Sequence, residues 1–157
     1  MGAIHHALLD AGAISAIHVD ASAEYIKVSR AEVANRHHDD RVRFIHADFV
    51  HAASELPRAD IVTLDRVICC YPDMPKLAGA AADRARGLLV MSFPNRRWWT
   101  RLGLSIANFG FRVIRLQFRV FLHPPALVLA TVEQRGFKTR LNQPGLLWQV
   151  VALERNA

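Results

Sequence analysis

The chain has 157 residues, 52% of them hydrophobic and 22% charged, a length and balance that support a packed core and exclude a disordered polypeptide. Arg101, Arg112, Arg115 and Arg119 interrupt its most apolar stretch, so no run reaches the roughly 18 apolar residues of a membrane span. The opening lacks the basic-then-apolar order of a secretory signal, which makes the cytoplasm the expected location.

Residues 3–11 carry Ile4, Ala7, Leu8 and Ala11 on one helical face, with Gly12 as the stop. An apolar strand over 13–19 follows and ends in Asp20. Ser22 caps a predicted helix over 23–35, with Tyr25, Ile26, Val28 and Val33 as its apolar contacts. His37-His38-Asp39-Asp40 reads as a polar turn, and Val42 to Ala47 as a strand ending in Asp48. A short helical stretch at 50–55 is broken by Pro57, before a strand from Asp60 to Leu64. A helix over 73–85 leads to Gly87–Phe93, whose continuous Leu-Leu-Val-Met fits a strand buried on both faces. Regular alternation of this kind predicts a parallel, doubly wound α/β sheet.

After Pro94 the pattern changes. Residues 98–121 read as one long helix or a pair kinked at Gly110, and Pro124-Pro125 opens a further helix that Gly136 ends. Phe137–Asn142 and Leu146–Arg155, separated by Gln-Pro-Gly, form a predicted β-hairpin.

The formal net charge is +6, and no Asp or Glu occurs from Arg84 to Val132. Such a patch attracts anionic small molecules, membrane surfaces or nucleic acid alike. Arg101, Asn108, Arg112, Arg115 and Arg119 are spaced to share one helical face. That face is a lid over an acceptor, a peripheral contact with anionic membrane, or simply solvated. Cys69 and Cys70 are adjacent, which strains a disulfide and leaves no zinc spacing, so both are expected to be buried thiols. His5 and His6 should point apart on their helix, and His37-His38 lie in a turn, so no metal site is expected. His18 and His46 are expected in strands as core or sheet-face residues.

An acid at the carboxyl end of each of two strands marks a nucleoside pocket, because a ribose diol offers donors that a carboxylate accepts. Asp20 and Asp48 are those acids; the competing assignment for each is a turn or helix-capping aspartate. Asp65 follows the next strand, where it contacts a ligand, acts as a base, or caps the next turn.

The run HVDASAEYI resembles the acidic-loop segment of class I S-adenosylmethionine (SAM)-dependent methyltransferases. The TLDRV, CCYPDM, FPNRRWWTRLG and WQVVALER stretches extend the resemblance, over nearly all of the chain, to a bacterial group of small-molecule methyltransferases. It implies a Rossmann-like, mostly parallel sheet with an antiparallel C-terminal hairpin strand, and a single methyltransferase-like domain over 1–157 with a helical lid or insert at 95–123. It implies SAM as cofactor, contacted by Gly2, Asp20, Ala21, Asp48, Phe49 and Asp65. Asp65 and His123 are the implied catalytic groups, and Arg66 and Tyr71 the implied contacts to a small-molecule methyl acceptor.

In that family a glycine-rich turn and a central first strand precede this segment. Gly2 would be the last glycine of that turn, so the chain is expected to be truncated before its first strand and to bind SAM weakly in this form. The absence of an Asn-Pro-Pro-Tyr or Asp-Pro-Pro-Tyr sequence after the 60–64 strand counts against methylation of nucleic acid. Two other assignments compete: a non-catalytic methyltransferase-fold remnant or binding module, and an NAD-dependent dehydrogenase. The hairpin and the short HVDAS-to-ADF spacing favour the methyltransferase.

Overall fold

The computed structural model describes residues 3–116 and 118–156. It divides into two compact units, one up to Glu55 and one from Leu56 onward.

In the first unit, α1 (Ala3–Asp10) ends at Gly12, whose φ of +103° lets the chain reverse. The Gly12 N–H bonds Leu9 O at 3.2 Å and the Ala13 N–H bonds Leu8 O at 2.9 Å, closing the last carbonyls of the helix. Then come β1 (Ala16–Asp20), α2 (Ala23–Asn35), β2 (Val42–His46) and the one-turn α3 (Phe49–Ala52), which runs into a 3₁₀ turn at Ala53–Glu55. Strands β1 and β2 pair in parallel, from Ala16 opposite Val42 to Asp20 opposite His46. Ser22 caps α2 by accepting the Tyr25 N–H at 3.3 Å. The core is Leu9, Val33 and Val42, with Ala13, Ala16 and Phe44 packed on it. Arg41 holds it together: its guanidinium donates to the carbonyls of Leu9 (3.1 Å), Ile14 (3.2 Å) and Ala13, placing a cation where α1 presents its negative end.

One expectation about α2 fails. Ile26, Ser29 and Val33 are the buried face, whereas Tyr25 and Val28 are 48% and 49% exposed. Positions 26, 29 and 33 keep the three-and-four spacing of one helical face, and 25 and 28 lie beside it.

The second unit contains β3 (Ala59–Asp65), a 3₁₀ turn at Ile68–Cys70, α4 (Met74–Arg84), β4 (Ala85–Pro94), α5 (Trp98–Val113), α6 (Pro125–Glu133), β5 (Phe137–Pro144) and β6 (Trp148–Arg155). Its sheet has the order β3-β4-β6-β5, with β3 and β4 parallel and β6 antiparallel to both neighbours. This is the Rossmann-like α/β architecture with an antiparallel C-terminal hairpin. Leu77, Ala78 and Ala81 of α4 are buried with Leu89, Met91 and Phe93 of β4, Val128 and Val132 of α6, and Val151 and Leu153 of β6. Among the described residues, β1 and β3 each lie at an edge of their own sheet.

Two polar side chains brace this unit. Asn95, buried, donates through Nδ2 to Gly145 O and Leu146 O at 2.9 Å each and accepts through Oδ1 from the Thr100 hydroxyl at 2.8 Å, which joins the hairpin turn to the start of α5. Arg155 donates to the carbonyls of Ala82 (2.7 Å), Ala85 (2.9 Å) and Arg135 (3.2 Å).

Helix α5 ends at Val113, short of the 121 expected, and Gly110 does not break it. Arg115 takes a φ of +56°, its N–H bonds Arg112 O at 3.2 Å, and the Leu116 N–H bonds Phe111 O at 2.8 Å. A non-glycine residue in this left-handed position costs about 1–2 kcal/mol, so the sequence carries no stop signal there. Arg115 and Arg119 therefore lie past the helix, and of the expected basic face Arg101, Asn108 and Arg112 ride on it. No helix among the described residues is long and apolar enough to cross a membrane.

Candidate active site

In the first unit, the C-terminal ends of β1 and β2 present two aspartates with the same local geometry. Asp20 closes β1, and its Oδ1 accepts the Ser22 N–H at 2.8 Å. Asp48 lies two residues past β2, caps α3, and its Oδ1 accepts the Val50 N–H at 2.8 Å. Each carboxylate is thus fixed by its own backbone two residues on. Asp48 Oδ2 also sits 3.7 Å from His51 Nδ1. The hydrogen bonding of the Asp20 carboxylate among the described residues ends with Ser22, leaving Oδ2 to accept from a ligand. Ala21 follows, exposed, its carbonyl receiving the His46 Nε2–H at 3.1 Å. Phe49 is half-buried beside Asp48. Paired acceptors at the ends of parallel strands, with an aromatic ring adjacent to one, fit the donors and the flat base of a nucleoside. Both aspartates are turn residues, the competing assignment that the sequence left open. Gly2 lies outside the described residues.

In the second unit, Asp65 ends β3 opposite Ser92 of β4. The Ser92 hydroxyl donates to Asp65 Oδ1 and accepts the Arg66 N–H at 2.9 Å. Arg66 has a φ of +57° and lays its guanidinium 5.2 Å from the centre of the Trp148 ring. The chain continues through Cys69 and Cys70 to Tyr71, whose carbonyl accepts the His123 Nε2–H at 3.0 Å. With Nε2 donating, the neutral ring keeps Nδ1 as its acceptor. Asp65 and Arg66 are thus drawn together by Ser92, and Tyr71 and His123 by a backbone bond.

The vicinal thiols differ. Cys69 is buried as expected, but Cys70 is exposed, and their sulfurs are 3.7 Å apart. Hydrogen bonding from the Cys69 thiol lowers Cys70 to about 7, while that bond and burial raise Cys69.

Two features were missed in the sequence. Ser92 is the one hydroxyl in the apolar run GLLVMSFP, a legible but weak signal. The histidines are the other. His5 and His6 do not point apart: their ring centres are 4.3 Å from each other, with His18 5.4 Å from His5 and His38 5.4 Å from His6. His6 Nδ1 meets His38 Nδ1 at 3.2 Å, and His38 Nε2 meets Asp10 Oδ1 at 3.2 Å. Among the described residues no group of three or more His, Cys, Asp or Glu is arranged to hold a metal ion.

The chain is similar in structure to several solved methyltransferases. Magnesium protoporphyrin IX methyltransferase from Synechocystis PCC 6803, with bound SAH, superposes with a TM-score of 0.77 at 17% identity, over 99% of this chain and 69% of that one. A putative sarcosine dimethylglycine methyltransferase from Galdieria sulphuraria gives 0.73 at 10% identity, over 99% and 75%. An O-methyltransferase family protein from Burkholderia thailandensis gives 0.72 at 15% identity, over 94% and 52%, so the chain spans only about half the length of that protein. No protein-family model and no curated protein matches the sequence. The fold is that of the SAM-dependent methyltransferases.

Proposed function

We propose that this protein transfers a methyl group from SAM to a small molecule. The observation that carries the proposal is the pair of fixed aspartates at the ends of β1 and β2, with Asp20 Oδ2 left to accept, in a chain whose solved neighbours of like fold include a methyltransferase with bound SAH. In this reading Asp20 and Ala21 hold the ribose, Asp48 accepts from the adenine amino group, and Phe49 covers the ring. Asp65, oriented by Ser92, accepts from the amino group of the methionine moiety, and Gly2 is a further contact to the cofactor. Bound SAM supplies a methyl group activated on a sulfonium. The protein's own part is to align that carbon with the acceptor and to keep water away. Arg66 and Tyr71 contact the acceptor, and His123 Nδ1 takes its proton. The single-domain organisation, with 95–123 as an insert, belongs to the same proposal.

Amide chemical-shift mapping with millimolar SAH tests it and tolerates weak binding. The expected result is a saturable response concentrated at Ser22, Val50 and Arg66, whose N–H groups report on the three carboxylate sites. A response elsewhere, or none, overturns the reading. Because both aspartates already serve as turn residues, a binding module without catalysis is the second reading. It is distinguished by SAH binding without methyl-donor turnover against any acceptor offered.

A further inference from the structure

The stretch without Asp or Glu, Arg84 to Val132, encloses a cavity of about 330 Å³ between α5 and the returning segment 119–122. Arg96, Arg101 and Arg119 line it, with Ser105 and Asn108. None of the three arginines forms an ion pair among the described residues.

The walls are fixed. The Asn108 side chain clamps the returning segment by two bonds, donating to Val120 O at 2.8 Å and accepting the Val120 N–H at 2.9 Å. The Phe121 N–H bonds Cys69 O at 2.7 Å, and His123 bonds Tyr71 O at 3.0 Å. Arg119 is further held 5.4 Å from the centre of the Phe121 ring. Three like charges around one fixed hollow repel each other, and an anion between them relieves that repulsion. Guanidinium groups suit carboxylate and phosphate oxygens, which they bind in pairs of parallel hydrogen bonds. A second hollow of about 570 Å³ shares Asn108 and Arg119 with the first and is walled by Phe109, Leu116 and Phe118 together with Arg112 and Arg115.

We propose that the first cavity is an oxyanion site for the carboxylate or phosphate head of an amphiphilic molecule whose apolar body lies in the second. Its wall is bonded to the loop that follows Asp65, which places the ligand beside the proposed acceptor contacts. That the ligand is the methyl acceptor rests on the function proposed above; the anion site itself does not.

Tryptophan emission from Trp98 and Trp99, at the start of α5, reports the binding. The probes are monomeric dodecanoate, dodecyl phosphate, uncharged dodecanol, and vesicles of phosphatidylglycerol or phosphatidylcholine. Saturable binding of the two anions, weaker in high salt and weakened about tenfold or more in Arg101→Gln/Arg119→Gln, is expected, with dodecanol binding less well. Circular dichroism of the variant controls for folding, since both side chains are exposed. Equal binding of dodecanol, or no effect of a folded variant, overturns the proposal. Binding to phosphatidylglycerol vesicles without binding of the monomeric anions also overturns it and assigns the arginines to a membrane surface. Anion binding that persists where SAH gives no response separates failure of the methyl-transfer reading from failure of this one.

Discussion

The Ser92 hydroxyl donates a hydrogen bond to the Asp65 carboxylate across the β3–β4 pair, where the two residues stand opposite in register. Asp65 is otherwise exposed, so this bond and the Arg66 turn orient it. Ser92→Ala should leave the fold intact and weaken SAH binding by about 0.5–1.5 kcal/mol, roughly 2- to 13-fold, the worth of one intramolecular hydrogen bond. Asp65→Asn should cost at least as much. Comparing SAH titrations with thermal melts of both variants checks this; loss of affinity only in proportion to lost stability would count against a positioning role.

Asp20→Ala should weaken SAH binding by about 1.5–3 kcal/mol, the scale of a hydrogen bond to a charged group. In shift mapping, the response at Ser22 should fall to less than about half at concentrations that saturate the native chain. An unchanged response in Asp20→Ala, together with its loss in Asp48→Ala, would reverse the two assignments.

The histidine cluster predicts acid sensitivity of the first unit. Burial, followed by the neighbouring His6, His18 and His38, lowers His5 to about 4. Burial also lowers His6, reinforced by Arg36 and His38 and opposed by Glu32 and Asp10, and it lowers His18, opposed by Asp20. A folded-state value below the unfolded one means that the unfolded chain binds more protons between the two. Stability from these groups is therefore fully present above about 6.5 and is lost as pH falls toward about 4. Amide exchange over residues 3–20 should accelerate from pH 7.5 to pH 5, and His5→Gln should flatten that dependence. Exchange that is independent of pH, after correction for intrinsic rates, would refute it.

Cys70, lowered to about 7, should be about half thiolate at neutral pH, whereas Cys69 stays protonated. Iodoacetamide at pH 7 should modify Cys70 first, read by peptide mass. Cys69→Ala, by removing the donated bond, should move Cys70 up toward the ordinary value of about 8.5 and slow its alkylation at pH 7. Preferential labelling of Cys69 would contradict the assignment.

Arg155→Met should destabilise the second unit by about 2–3 kcal/mol, because it leaves partly buried carbonyls of Ala82 and Arg135 without this charged donor, while Arg58 still donates to Ala85 O at 3.2 Å. Urea unfolding measures this, and a change below about 0.5 kcal/mol, the scale of an ordinary surface substitution, would show that water replaces the guanidinium.

Local chemistry made much of this protein legible in its sequence. Gly12 and Gly136 stop helices by taking positive φ, Ser22 caps α2 as expected, and of the expected Gln-Pro-Gly turn only Gly145 lies between the strands, since Gln143 and Pro144 pair with Val150 and Gln149. The acids ending β1 and β3, and the one just past β2, were readable because each marks where an apolar run stops. Tertiary structure decided what depends on residues far apart in the chain. Arg115 ends α5 in a conformation that its residue type does not announce, and the Asn108–Val120 clamp supports the chain's return along the helix. The choice of Ile26, Ser29 and Val33 over Tyr25 and Val28 depends on which side of α2 is packed. Ser92 reaches Asp65 across 27 positions, and His6 reaches His38 across 32; neither pairing has a local signature, because a hydrogen bond between elements is fixed by their register and packing and not by the residues beside either partner.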